Sequence, residues 1–201
     1  MRILVLNPPF LKKFSRPQRS PAVTKSGTLY YPIWLAYCVG VLEDEGHAVT
    51  FIDAPARGLG LGEIIEQAKA TQPYLIVMDT STPSIENDIH IAEKLKNELP
   101  QSYIVMVGTH VSALPEETLR RGKFIDAVAR REYEYTIREI ASLLADNALS
   151  LPRNGEFREI LGLSFRLNGR IIHNPDRPFI ENLDELPWVS MIYKKYLQTD
   201  D

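Results

Sequence analysis

Apolar residues in this chain fall into short, almost unbroken runs, and longer stretches of mixed character separate them. RILVLN (2–7), AVTFID (48–53), YLIVMD (74–79), YIVMVG (103–108) and IDAVAR (125–130) are rich in β-branched residues. Strands that are apolar at nearly every position are buried on both faces, which predicts a parallel sheet covered by helices. The intervening stretches carry helical spacing. They are 31–46, opened by Pro32 and stopped by Gly46; 61–71; 84–99, ended by Pro100; 113–122; and 134–146. Five βα units in this order predict an α/β domain over 1–146, a doubly wound five-stranded parallel sheet of Rossmann or flavodoxin type.

Beyond about residue 147 the pattern changes. ALSLPRNGEFREILG reads as a linker. LSFRLNGRIIHN (163–174) has two short runs around Asn168-Gly169, a hairpin signal. The proline-rich tail that follows has no clear period and is expected to pack loosely or lead elsewhere. Residues 147–201 are therefore read as linker, β-hairpin and connector.

Bulk properties narrow the function classes. A net charge of -3 gives no bulk reason to expect nucleic acid. The apolar run Ile33–Leu42 is too short to cross a bilayer. The opening MRILVLNPP does not read as a signal peptide, so a cytoplasmic protein is expected. The single cysteine, Cys38, excludes an internal disulfide or a Cys-rich metal site within this chain and reads as a buried helix residue. Lys12, Lys13, Arg16, Arg19 and Lys25 cluster in one segment, read as a solvated loop or as a contact for an acidic ligand.

In open α/β sheets the ligand sits beyond the carboxyl ends of the strands. That rule selects Asn7-Pro8-Pro9, the hydroxyl-rich Thr80-Ser81-Thr82-Pro83-Ser84, the segment Gly108-Thr109-His110-Val111-Ser112, and Arg130-Arg131-Glu132-Tyr133-Glu134. Four hydroxyls in the five positions 80–84 exceed the needs of a helix cap, for which Thr82 or Ser84 would serve. Short hydroxyls beside helix N–H groups suit phosphate or amide-bearing ligands. A dinucleotide site is not indicated, because the first strand runs into Pro-Pro and the glycines of RGLGLGE follow the second strand. A phospho-receiver would use Asp79, yet it lacks carboxylates after the first strand and a lysine after the fifth.

Three stretches carry a family resemblance. They are PIWLAYCVGVLEDEGHAVTFID (32–53), VMVGTHVSALPEETLRRGKFIDAVARREYEYTIREI (105–140) and ILGLSFRLNGRIIHNPDRPFIENLDELP (160–187). In order and spacing they resemble the N-terminal cobalamin-binding domains of B12-dependent radical S-adenosylmethionine enzymes, which include methyltransferases and anaerobic Mg-protoporphyrin monomethyl ester cyclases. The second stretch is similar to the family's Gly-Gly-x-His and Asp-x-Val-x-Arg-Gly-Glu-x-Glu segments, and the third ends in its Leu-Asp-Glu-Leu-Pro connector.

The resemblance implies a role for each candidate. Gly108 lets the backbone approach the corrin, while Thr109, His110 and Val111 line one face of the disc. Thr80, Ser81 and Thr82 bond the nucleotide tail or corrin amides. Pro8 and Pro9 shape the wall, and Arg131 and Glu132 lie beside the same cleft. Thr109 stands where the family commonly has a second glycine, and Arg131 and Tyr133 stand where Gly-Glu-Gly-Glu is usual.

No Asp-x-His-x-x-Gly follows the first strand, so the implied cobalamin is base-off without a histidine beneath it. His110 reads as a locally hydrogen-bonded residue, and His47, His90 and His173 as structural. The resemblance further implies a radical domain in cis, absent from these residues, that carries S-adenosylmethionine and an Fe4S4 cluster. This chain alone is then expected to bind and not to catalyse. The alternative is a flavodoxin-like ligand-sensing or partner-docking module.

Overall fold

The computed structural model describes residues 1–16, 22–147 and 155–197. Arg19 of the basic cluster, linker residues 148–154 and tail residues 198–201 lie outside the described residues.

Seven strands form one sheet: β1 Arg2–Asn7, β2 Ala48–Asp53, β3 Leu75–Thr80, β4 Tyr103–Gly108, β5 Ala127–Ala129, β6 Leu163–Leu167 and β7 Arg170–His173. Their spatial order is β2-β1-β3-β4-β5-β6-β7. The first five are parallel, in the register Ile3 beside Val49 and Leu75, Leu75 beside Tyr103, and Val105 beside Ala127. The expected five-stranded doubly wound sheet is present.

The apolar runs bury both faces, as their continuity requires. Ile3, Val5, Val77 and Val105 face α1 (Ile33–Asp44) and α6 (Glu134–Asp146), where Leu35, Cys38, Val39, Ile137 and Ile140 complete one core. The alternate residues Leu4, Leu6, Ile76, Met78, Ile104 and Met106 face α2 (Leu61–Thr71) and α3 (Ile85–Glu98), which add Ile64, Ala68, Ile91 and Leu95. Cys38 is fully buried and its thiol is pushed well up by desolvation, as a core residue should be.

Three details differ from the reading of the sequence. The helix expected over 113–122 is present as α5 (Pro115–Arg121), and a further short helix, α4 (Thr109–Ala113), precedes it where a loop was expected, with Pro115 starting the new one. The hairpin does not stand apart. Asn168 and Gly169 take φ of 50° and 76°, the twist a two-residue turn needs, and β6 pairs antiparallel with β5, Val128 beside Ser164. Arg130 fixes it there, donating to the Asn174 carbonyl at 2.6 Å and to Asp176 at 2.8 Å.

The tail is not loose either. Its residues Val189–Tyr196 form α7, which returns to α1. Ile192 is buried there, Tyr193 stacks on Tyr31 at 4.6 Å, and Tyr196 lies edge-on to Phe51 at 6.0 Å. Spacing of one and four residues puts these side chains on one helical face, a pattern too short to read past the prolines. Among the described residues no helix is long and apolar enough to cross a membrane.

Candidate functional site

The order 2-1-3-4-5 reverses direction between β1 and β3, which opens the crevice where α/β sheets hold ligands. A buried polar network fills the β1–β3 part of that crevice. Arg16 donates to Asn7 Oδ1 at 2.9 Å, to Ser84 Oγ at 3.2 Å and to Asp88 Oδ1 at 2.7 Å. Thr80 and Ser84 donate their hydroxyls to Asp88 Oδ2 at 2.8 and 2.6 Å, and Ser81 Oγ lies 2.9 Å from Ser84 Oγ. Asn7 in turn donates to Asp53 at 2.8 Å.

The hydroxyl cluster thus serves Asp88 and the fold. Thr80 and Ser81 are each only 2% exposed. Ser84 does not cap α3 with its side chain. Pro8 is buried and Pro9 half-buried; their carbonyls accept from Arg16 and, at 2.8 Å, from Asn87. Arg16, Asp53 and Asp88 were not singled out as a network in the sequence, although Ser84 and Asp88 stand one helical turn apart.

The carboxylates outnumber the cation. Burial raises Asp53 to about 6 and Asp79 to about 7, with Arg16 pulling both back and Asp88 pushing Asp79 further up. Burial also raises Glu134 to about 7, while its own backbone N–H draws it partly back and Glu132 adds to the rise. These acids hold protons in the fold at pH values where the unfolded chain has released them. Their stabilising contribution is whole below the unfolded values near 4 and is lost as pH rises through 6 to 7. Thermal denaturation is expected to give a Tm that falls between about pH 5 and pH 8, with a smaller fall in Glu134→Gln. A Tm that climbs across that interval would show instead that the acids are ionised in the fold.

Beside the network lies an open cleft of about 590 Å³ lined by Trp34, Gly108, Thr109, Ser112, Ala113, Arg131, Glu132, Tyr133, Glu134 and Phe179. It brings together four of the expected residues: Gly108, Thr109, Arg131 and Glu132. Gly108 takes φ 110° and ψ -178°, and a Cβ there would stand 2.3 Å from the Thr80 carbonyl oxygen. The glycine is demanded first by the passage of β4 against β3. Thr109 opens α4 at the exposed lip, and its backbone is not left-handed, so the fold does not need glycine there.

Two neighbours turn away from this lip. His110 is buried, with Nδ1 3.2 Å from Thr82 Oγ1, the local hydrogen bond anticipated for it. Val111 is wholly buried in the core against α2 and α3 and lines no open face. Among the described residues no cluster of His, Cys, Asp or Glu could hold a metal ion.

At the far rim Arg131 has φ 61°, the left-handed conformation that explains a usual glycine at this point. Its N–H donates to Ser112 Oγ at 2.8 Å, and that hydroxyl donates to the Gly108 carbonyl at 2.8 Å, tying the β5 exit to the β4 end. Its guanidinium pairs with Asp176 at 2.8 Å and lies 5.9 Å from the centre of the Phe179 ring. Glu132 accepts the Ile180 N–H at 2.7 Å, so it clamps the connector to the cleft. Trp34, 54% exposed, and Phe179, 64% exposed, form apolar walls that the sequence did not single out. A wider adjoining groove of about 840 Å³ is edged by Arg120 and Arg121, but Glu116, Glu117 and Glu86 already pair with them.

Comparison with known proteins bears on what this cleft holds. A family model described as "B12 binding domain" matches residues 19–141. An uncharacterized methyltransferase of Pyrococcus horikoshii is 33% identical over 187 residues, 93% of this chain and 37% of that protein. The anaerobic magnesium-protoporphyrin IX monomethyl ester cyclase of Synechocystis sp. is 30% identical over 200 residues, 98% of this chain and 37% of that protein. The chain therefore spans little more than a third of these relatives. Among solved structures, the cobalamin-dependent S-adenosylmethionine radical enzyme OxsB with aqua-cobalamin and S-adenosylmethionine bound superposes with a TM-score of 0.69 at 17% identity. That match covers 89% of this chain and 22% of the enzyme, and it establishes likeness of fold.

Proposed function

The chain belongs to the B12 binding domain family, and from that premise we propose that it holds base-off cobalamin at the carboxyl edge of its sheet, over Gly108 and Thr109 and in the cleft between Trp34 and Phe179. The observation that carries this reading is the union, beside the crossover of the sheet, of a side-chain-free backbone at Gly108 with an apolar cleft of about 590 Å³. The residues fit such a group. Trp34, Ala113 and Phe179 offer flat or small apolar surface, and two buried polar atoms on Tyr133 and Glu134 have no partner among the described residues.

The candidate residues other than Val111, which belongs to the core, then have tasks. Thr109 and the rim residues Arg131 and Glu132 bound the disc. Pro8, Pro9, Thr80 and Ser81 back the wall through the Arg16–Asp88 network, and exposed Thr82 forms its corner, held from beneath by buried His110. Bound cobalamin supplies a methyl carrier or a redox-active cobalt. The complete protein is read as a radical S-adenosylmethionine methyltransferase or oxidative cyclase, with an Fe4S4 domain in cis and residues 147–201 as the connector toward it. Neither nucleic acid nor membrane is a partner in this reading, and the cytoplasm is its setting.

The test is a visible-absorbance titration of the purified chain with hydroxocobalamin, followed by gel filtration. A coeluting red species with a base-off spectrum is expected. Free cobalamin at every concentration, both for this chain and for the longer protein, would leave the sensing or docking module as the better reading.

A further inference from the structure

We propose that Tyr133 and Glu134 form the polar floor of the cleft and bind an uncharged donor–acceptor group of the ligand, a primary amide or a hydroxyl. The inference rests on the cobalamin reading above and names the residues that would orient the ligand. Buried polar atoms without partners are rare in folded proteins and call for an explanation. Among the described residues four side-chain atoms are buried and unpartnered, and two of them, Tyr133 Oη and Glu134 Oε2, are on consecutive residues of this one cleft. Tyr133 is 4% and Glu134 2% exposed. Both atoms are shut off from water, so the group that meets them must enter the cleft and displace its wall.

The surroundings decide what that group can be. Cys38 from α1, Asp79 at the end of β3 and Glu134 itself act on Tyr133, and Glu132 acts on Glu134; none of these carries positive charge. Arg131 at the rim is already paired with Asp176. A phosphate or carboxylate seated against these two buried oxygens would therefore meet acidic groups, with Arg130 and Arg131 sharing Asp176 at the rim. A protonated carboxyl, by contrast, has one O–H donor and acceptor capacity, the complement of a primary amide, and the phenol O–H can donate to the amide oxygen. The apolar walls contribute contact area without direction, so these two residues would set the ligand's orientation. Primary amides surround the corrin ring, and the nucleotide tail, which carries a hydroxyl-bearing sugar, is joined to it through a secondary amide.

Affinity for two probes tests the proposal: hydroxocobalamin, and cobinamide, which lacks the nucleotide tail. Glu134→Leu and Tyr133→Phe are expected to weaken binding about tenfold or more. Glu134→Gln should bind within about twofold of wild type, since an amide replaces a protonated acid. Wild-type affinity should fall between about pH 6 and pH 8 as Glu134 ionises, and Glu134→Gln should lose that dependence. Loss for both probes assigns the pair to corrin amides, and loss for hydroxocobalamin alone assigns it to the tail. Wild-type affinity in both Tyr133→Phe and Glu134→Leu would overturn the proposal. Should Glu134→Leu not fold, Tyr133→Phe decides by itself, because it removes a single oxygen. If wild type binds neither probe, the cobalamin reading fails first and this one with it.

Discussion

Asp88→Ala is expected to destabilise the domain by about 3–5 kcal/mol, the range for removing one member of a buried ion pair, and to lower the Tm by roughly 10 °C or more. The Arg16 and Asp88 side chains are 1% and 0% exposed and meet at 2.7 Å. Removing the carboxylate leaves a guanidinium buried among Asn7, Ser84 and the Pro8 carbonyl, and it deprives the Thr80 and Ser84 hydroxyls of their acceptor. Arg16→Ala should cost a similar amount for the opposite reason. It leaves Asp53, Asp79 and Asp88 without the cation that offsets their burial.

The decisive comparison is the double variant Arg16→Met with Asp88→Leu. Buried pairs often exchange for apolar residues at little cost, so the double change should be less damaging than either alanine alone. Urea denaturation of all three, with an unchanged slope, would measure the coupling. Additive losses, or an Asp88→Ala cost below about 1 kcal/mol, would mean that water reaches the pair and screens it.

This network also shows where the sequence stopped being informative. Strands β1 to β5 were legible because a residue apolar at nearly every position has to be covered on both sides. The hydroxyls at 80–84 were visible too, but their purpose was not. A serine or threonine reads the same whether it faces a ligand or a buried carboxylate, and Arg16 reaches Asp88 from 72 residues away in the chain. Val111 followed a glycine, a threonine and a histidine at a strand end and so read as part of a lip. One turn of helix at Thr109–Ala113 rotates it into the core.

The hairpin was legible from Asn168-Gly169, but its place was not, since any exposed strand edge could have received it. The reach of Arg130 to Asn174 and Asp176 selects β5. Tyr133 and Glu134 stood among the strand-end candidates without a role of their own, and Trp34 and Phe179 looked like parts of a helix start and a connector. Only the tertiary fold gathers them round Gly108.

Gly108→Ala is the second large expected effect, and it separates two costs that glycine positions usually mix. The residue has φ 110° and ψ -178°, a region almost closed to side chains, and an added Cβ would lie 2.3 Å from the Thr80 carbonyl oxygen and 2.7 Å from Asp79 Oδ1. Neither neighbour can yield cheaply: the carbonyl is backbone of a central strand, and Asp79 belongs to the crowded acid group. Strain and overpacking together are expected to cost about 3 kcal/mol or more.

Gly46→Ala supplies the control. Gly46 has φ 77° but nothing within 4 Å of an added Cβ, so only the backbone term remains, about 1–2 kcal/mol. The difference between the two variants in urea midpoint measures the close passage of β4 over the end of β3. A Gly108→Ala protein as stable as Gly46→Ala would show that the carboxyl ends of these strands can part. The cleft beside Gly108 would then be a yielding site, and a ligand could be admitted by spreading the sheet edge instead of by displacing its walls.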